Sequence, residues 1–540
     1  MSKIFKRTSV PDCKKTKIKK RYDLSTRYYK EQQRQRQGCL KNMQHKTGKD
    51  RNQIQFISMN DWISEDNPVK VIDAFVDSLS LRELGFSHAV VKSEGCPPYD
   101  PAMMLKLYLY GYSGGAKVRS TRKLEAECKR NIELMWLIAE MQPSHTTISA
   151  FRKEHPKELK AVFKKFGLFL RSEGLMQGNE VCIDGTKIRG LNSKANNYTQ
   201  KDVEGYLEWL EKKNEEYLQQ LDEADKEEER TGINPLEIKQ EAVKNLLKNL
   251  KEKKEKYEGL KKQMEQTNST QVSTTDTDTR LMHAADGGNI VGYNIQSANH
   301  TQHSLIVDFA VTNEGDRHAL HSTAVAAKET LGVQEITAIT DKGYHAGTEL
   351  QACEKDHIIT LVAPQEYVIP CKVPDERYHA DKFVYNKEQD SYTCPQGHSL
   401  RTNGTWLKRT KKLGRGDIDA KYKEYKTAQC LTCPLKHLCT RADKGRVLTR
   451  FEYQEAIDAN NKRVAENKEA YQKRKCVSEH PFGTVKRAWG YSYTLLKGMK
   501  KVTGEISLIF TCYNMRRAIT ILGVVGLVAK LNAWNAANAG

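Results

Sequence analysis

Between Glu180 and Ile188 an apolar run, Val181-Cys182-Ile183, delivers a single carboxylate, Asp184, and then a glycine. Its Val and Ile content between polar flanks predicts a short buried strand, and an acid at the end of such a strand is costly unless paired or bound to metal. A strand-end Asp before Gly is also an ordinary turn starter. Upstream, Val69, Val71, Ile72, Phe75, Val76 and Leu79 make helix-like apolar runs. Pro97-Pro98-Tyr99-Asp100-Pro101 opens a helix through Tyr110, with Asp100 placed to cap it and Pro101 suited to its first turn, and Gly114-Gly115 breaks it. The next stretch gathers Arg119, Arg122 and Lys123 at its start and Ile132, Leu134, Met135, Trp136 and Leu137 at its end, so that one part would face phosphate while the other packs. A third helix is expected to begin at Thr146-Thr147-Ile148, with threonine as the cap, and residues 157–173 read as a basic amphipathic helix. Short helices with basic starts fit a helix-turn-helix-like DNA reader and equally an ordinary helical bundle.

Beyond the Asp184 strand, Val203, Leu210, Tyr217 and Ala224 repeat every seven residues with Leu207 and Leu221 between them, and Val243, Leu250, Tyr257 and Met264 repeat likewise. Two heptad-patterned segments around Thr231-Gly232-Ile233-Asn234-Pro235 predict an antiparallel helical hairpin, read as a solvated spacer or dimer arm. The period then changes to that of strands over Arg280–His283, Asn289–Gln296, Ser304–Val311 and Glu335–Thr340, the last ending at Asp341-Lys342-Gly343-Tyr344. A helix near Ala319–Leu331 and a strand from Ile358 to Pro364 complete a mixed α/β sheet layered with helices. Residues 365–450 lose the strand pattern, and a long polar helix is expected from about Tyr453 to Arg474. Glu479 and Lys486 are seven apart and would share a helical face, but Pro481 disfavours helix at His480, so Glu479 ends a helix or sits at a kink.

Composition adds a polyanion partner. The chain carries 88 Lys+Arg against 68 Asp+Glu, a net +20, with a pI near 9.2. Residues 1–50 hold 16 Lys/Arg against 4 Asp/Glu, which reads as a basic arm drawn to nucleic acid or as a solvating tail. No apolar stretch follows the basic start, so no secretory signal is expected. The apolar stretch Ile519–Ala529 is too short to span a membrane and is read as a buried helix. Thirteen cysteines, many scattered singly, predict a reducing cytosol rather than a disulfide framework. Cys394, Cys430, Cys433 and Cys439 would supply four soft thiolates to a structural zinc, with His398 or His437 as substitutes; a disulfide or free thiols is the other reading.

Together these motifs resemble bacterial insertion-sequence DDE transposases. The residues carrying the resemblance are Tyr99-Asp100-Pro101 and Arg119 to Glu125, then Asp184-Gly185-Thr186, Asp276-Thr277-Asp278-Thr279-Arg280, Asp341-Lys342-Gly343-Tyr344 and Glu479 through Lys486, over about residues 50–520. Thr277 departs from the proline usual there. The resemblance implies an RNase H-like mixed sheet at 175–364 and 453–530. Around it are set a basic arm (1–50), a helical DNA-binding or dimerisation domain (51–174), the hairpin insertion (200–266), a cysteine-rich insertion with a four-cysteine zinc site (365–452) and a tail (531–540). It implies Asp184, Asp341 and Glu479 as the catalytic acids holding two Mg²⁺ or Mn²⁺ ions, with Asp184 bridging. Lys486 would position a phosphate, and Lys187, Lys342 and Arg487 are further phosphate contacts. Asp276 and Asp278 are rival metal ligands or turn-capping acids. In the family's tyrosine-arginine-glutamate-lysine signature, Tyr471 and Arg474 are correctly ordered, but Lys475 occupies the expected arginine slot. The implied activity is metal-dependent cleavage at transposon ends and strand transfer into target DNA, by a cytoplasmic homodimer on double-stranded DNA with no membrane partner. A non-catalytic DNA-binding derivative and an RNase H-like nuclease without transposition are the alternatives. Trp489 and Tyr491 would stack on an unpaired base or pack.

Overall fold

The computed structural model describes residues 30, 50, 52–54, 56–90, 94, 97–114, 118–232, 240–267, 269–284, 287–364, 373–408 and 420–538. The chain divides into two compact units, Met1–Ser58 and Met59–Gly540. The basic arm belongs to the first, and apart from Lys30 and Asp50 it lies outside the described residues.

The second unit begins with helices α1 (Val69–Asp77), α2 (Pro101–Tyr112), α3 (Thr121–Glu127), α4 (Ile132–Leu137), α5 (His145–Glu154) and α6 (Pro156–Ser172). Asp100 caps α2, accepting from the Ala102 amide at 2.7 Å, and Pro101 fills the first position, where a missing N–H costs nothing. The cap of α5 is Ser144 and not a threonine, because Ser144 Oγ accepts the Thr147 amide.

A six-stranded sheet follows, built from β1 (Glu180–Arg189), β4 (Arg280–His283), β5 (Asn289–His300), β6 (Ile306–Thr312), β7 (Ile336–Thr340) and β8 (Ile358–Val362). Its order is β6-β5-β1-β7-β8, with β4 pairing the start of β5. β5 runs antiparallel to β1 and β6, while β1, β7 and β8 are parallel. β5 extends past the apolar stretch to His300, because its polar end, Ser297, Asn299 and His300, is buried in the sheet. Alternation along the strands divides the two faces. Val181, Ile183, Ile336 and Ala338 join the main core with Leu320, Ala324 and Ala327 of α9 (Leu320–Leu331). Cys182, Ile339 and Leu361 point the other way, under Val477.

The insertion after β1 is a short ladder, β2 (Asn197–Thr199) with β3 (Gln271–Ser273), carrying helices α7 (Gln200–Thr231) and α8 (Gln240–Gln266). Val203, Leu260, Met264 and Val272 pack at its base, and Lys254 pairs with Glu211 across the helices at 3.2 Å. After α10 (Gly347–Lys355) and β8, the stretch expected to lack strands folds into two three-stranded sheets, β9-β10-β11 and β12-β13-β14. These run over Val384–Asn386, Ser391–Thr393, Ser399–Arg401, Leu407–Lys408, Lys421–Tyr425 and Leu448–Phe451, with α11 (Lys436–Cys439) before the last. Tyr392, Leu400, Tyr425 and Leu448 give them a small core. Their strands are too short for alternation to show in the sequence.

The single polar helix expected from Tyr453 is two, α12 (Gln454–Glu466) and α13 (Lys468–Phe482), broken at Asn467. Pro481 sits inside α13, where it has no amide to donate back to Val477, and Gly483–Ala488 continues the helix as a π-helical turn. Helix α14 (Met499–Leu522) is buried on all sides from Gly504 to Met515 and packs on α6, α2 and β6. Asp278 accepts the Met499 amide at 2.7 Å and Asp276 accepts the Gly498 amide at 3.0 Å and the Tyr293 hydroxyl, so both acids serve the start of α14. The stretch Ile519–Ala529 is not one helix: Gly523, at φ +71°, separates α14 from α15 (Val524–Asn538). Among the described residues no single helix is long and apolar enough to cross a membrane; α14 and α15 are so only together, bent by 111°.

Candidate active site

Strands β1 and β7 bring two of the acids level. Their last parallel pair is Cys182 with Ile339, and two residues further along each strand stand Asp184 and Asp341, on the face covered by α13. Asp184 accepts the Gly185 amide at 2.8 Å, and Asp341 caps the one-turn helix Lys342–Tyr344 by accepting the Gly343 amide at 2.8 Å. Burial pushes the Asp184 carboxyl up to about 6, helped by the charges of Asp341 and Asp316 and opposed by the Gly185 amide and Arg474. Asp184 is thus an acid whose ionised form its surroundings do not fully compensate.

Helix α13 decides what else reaches that face. Its inward stripe is Arg474, Val477, Ser478, Pro481 and Phe482, at the i, i+3, i+4, i+7, i+8 spacing of a packed helix. Val477 rests on Cys182, Ile339 and Leu361, which brings the Arg474 charge to bear on Cys182 and Asp184. Glu479 lies one position beyond Ser478, turned about 100° away from it, and is exposed. Glu479 is thus on the right helix but not against the two aspartates. Among the described residues no group of three or more His, Cys, Asp or Glu side chains is arranged to hold a metal ion. Lys486 reaches β1 from the π-helical turn and donates to Thr186 Oγ1 and to the Lys187 carbonyl, both at 3.1 Å.

The cations divide. Arg122, Lys123, Lys342 and Arg487 are exposed. Arg119 is not presented to phosphate: it is buried, 3.6 Å from the Glu505 carboxylate, donates to the Tyr493 carbonyl and stacks on Tyr491. Lys187 is turned to the opposite face from Asp184 by strand alternation and pairs with Asp316 at 2.5 Å. Trp489 and Tyr491 are buried, the former against Gly114, where a Cβ would stand 1.8 Å from the indole; they pack rather than await a base. Asp316 went unnoticed in the sequence because a lone Asp after Gly315 reads as a helix cap. The odd, three-residue separation of Lys187 from Asp184 is the signal in the sequence that Lys187 turns to the other face and needs a partner there.

Cys394, Cys430, Cys433 and Cys439 line one small pocket with His398. Burial, augmented by the other three thiols, raises the Cys439 thiol, and the Gln396 and His398 amides donate to Cys394 Sγ at 3.4 and 3.3 Å. All nine described cysteines are free of disulfides.

Two family models match the chain. One described as a transposase domain (DUF772) covers residues 57–154, and one described as a transposase DDE domain covers residues 393–519. The second includes the four clustered cysteines, Glu479 and Lys486, whereas Asp184 and Asp341 fall between the two. No curated protein and no solved structure gives a significant match.

Proposed function

We propose, from the premise that the two matched domains make this chain an insertion-sequence transposase of the DDE type, that it cleaves DNA at transposon ends and joins them to target DNA with Asp184, Asp341 and Glu479 as its acids. The observation that carries this is the level placement of Asp184 and Asp341, with the Asp184 carboxyl raised by burial, beside the anchored Lys486. The strand order β6-β5-β1-β7-β8, with its two antiparallel and two parallel neighbours, supports reading the sheet as an RNase H-like core.

The donor set fits a hard divalent cation such as Mg²⁺ or Mn²⁺: two carboxylates, one raised to about 6 by burial in the middle of β1 and one just past the end of β7. When bound, a pair of such ions would activate the attacking water or 3′-hydroxyl and stabilise the leaving oxygen. The protein's own part is placement. β1 and β7 fix the two aspartates, α13 swings Glu479 in only by a rotation or shift when DNA and metal arrive, and Lys486 steadies β1 while offering its ammonium to a phosphate. Exposed Arg487, Lys342, Arg122 and Lys123, with the basic arm, are read as backbone contacts on duplex DNA. Two ends must be held together for joining, which calls for two copies of the chain.

The test is Mg²⁺-dependent cleavage of duplex DNA taken from either side of the protein's own coding sequence. The wild-type chain should nick and then join it, and Asp341→Asn and Glu479→Gln should bind the duplex without cutting. Cutting by Glu479→Gln removes Glu479 from the chemistry; cutting without joining by the wild type makes the protein a nuclease; binding alone makes it a regulator.

The cysteine pocket offers zinc the right kind of donors, four thiols lining one small space with amides aimed at one sulfur, but the thiols as placed do not converge on a metal position and would have to draw together around the ion. Purified protein is expected to release about one zinc per chain on mercurial titration, and Cys433→Ser to lose it and to melt its small sheets first. A metal-free wild type that keeps its fold would leave the four as plain thiols.

A further inference from the structure

On the reverse face of the sheet, directly behind the two aspartates, lies a polar cluster that no matched family domain covers. Across β1 and β5, Gly185 stands opposite Gln296 and Lys187 opposite Asn294. Asp316, on the one-turn helix Asp316–His318 between β6 and α9, reaches into this corner. Its Oδ1 accepts from Asn294 Nδ2 and Gln296 Nε2, each at 2.8 Å, and its Oδ2 accepts from Lys187 Nζ at 2.5 Å. The Gln296 amide is engaged at both ends, because its Oε1 accepts from the Tyr344 hydroxyl. Asn294, Gln296 and Tyr344 are wholly buried.

We infer that Asp316 is a positioning residue that ties the two acid-bearing turns together from behind. Contacts run unbroken from Lys187, three residues after Asp184, through Asp316 and Gln296 to Tyr344, three residues after Asp341. The cluster also accounts for a glycine. A Cβ at position 185 would stand 2.4 Å from Asp316 Oδ1, 2.6 Å from Gln296 Nε2 and 3.0 Å from the Tyr344 hydroxyl, so the chain beside Asp184 lies against these groups with no room for a side chain. At Gly343 a Cβ would stand 2.9 Å from Asp341 Oδ1 and 4.0 Å from Asp316 Cβ. Burial alone would raise the Asp316 carboxyl, but Lys187, Asn294 and Gln296 hold it below its ordinary value. Asp316 is thus an ionised, fully partnered support, unlike the uncompensated Asp184. A buried network so connected is stiff, and the distance between the two catalytic carboxylates inherits that stiffness.

This inference rests on reading Asp184 and Asp341 as the metal-holding pair, and the experiment separates the two. Mn²⁺ is titrated into the full chain without DNA and free ion is followed by electron paramagnetic resonance. Asp184→Asn should abolish binding. Asp316→Asn and Tyr344→Phe should each weaken it about tenfold or more, the range for a group that orients a metal ligand, with melting temperature and metal-free DNA binding unchanged. A merely structural cluster would do the reverse, lowering the melting temperature and leaving Mn²⁺ affinity as it was; wild-type affinity in both variants overturns the inference. Should Asp316→Asn fail to fold, Tyr344→Phe, which removes one oxygen, carries the test. If Asp184→Asn binds Mn²⁺ normally, the reading of the site falls first, and this inference with it.

Discussion

Replacing Asp184 with asparagine is expected to stop DNA cleavage and, at the same time, to make the metal-free protein more stable at neutral pH. If Asp184 helps hold the metals as proposed, its loss removes several kcal/mol of transition-state stabilisation, so cleavage should fall by at least about a thousandfold. The stability effect follows from the carboxyl being pushed from 3.8 to about 6 by burial and by its neighbour Asp341. An acid whose folded value is raised holds its proton more tightly in the folded state. The benefit of that proton is complete below about pH 4 and is lost as pH rises through 6. Above this the ionised group costs up to roughly 3 kcal/mol, at about 1.4 kcal/mol per tenfold change in proton affinity. Asparagine cannot ionise, so the variant should show no stability change from this group between pH 4 and 6 and should outlast the wild type in urea at pH 7.5. Mg²⁺ should stabilise the wild type and leave the variant unmoved. Equal urea midpoints at pH 7.5 would show that the charge is not penalised, and residual cleavage would take Asp184 out of the chemistry.

The second large effect is expected at Glu505, far from any acid of the site. Its carboxylate is wholly buried, accepts the Leu495 and Leu496 amides at 2.9 to 3.1 Å and the Tyr112 hydroxyl at 3.3 Å, and faces Arg119. Arg152, also buried, reaches the same group through Tyr112, whose hydroxyl it meets at 2.5 Å. Glu505→Ala would leave two guanidinium groups in the interior without a counter-ion, which costs about 3–5 kcal/mol. An unfolding free energy in urea within about 1 kcal/mol of wild type would refute this. Arg119→Ala should act the same way, on folding, and leave the salt dependence of DNA binding unaltered.

Local chemistry made much of the fold legible. The Asp100-Pro101 start of α2 and the Val/Ile content of β1, β7 and β8 are signals that work over a few residues. What escaped depends on tertiary surroundings. The polar end of β5 is a strand only because β1 and β6 flank it, and Pro481 lies within a helix whose inner face is buried, from Val477 to Phe482. In the site, Asp341 could be located by the strand it follows, whereas Asp184, expected at a strand end, stands in the middle of β1, which runs on to Arg189 because β5 pairs with it that far. The place of Glu479 depends on the screw of α13 against the sheet, and the partners of Arg119 and Lys187 come from residues 129 or more positions away. No local pattern encodes those distances.

Helix α14 gathers its neighbours from across the chain: its Glu505 meets Tyr112, its Cys512 meets the Leu109 carbonyl and its Asn514 closes two hydrogen bonds on Ile306. During synthesis it therefore emerges after α2, α6 and β6, on all of which it packs, and the faces of those elements that it covers stay open until it does. The nascent protein must wait, exposed, for one late helix, and contacts of such long sequence separation close slowly. A chain arrested before residue 499 would lack the helix that packs at once on its helical part and on its sheet.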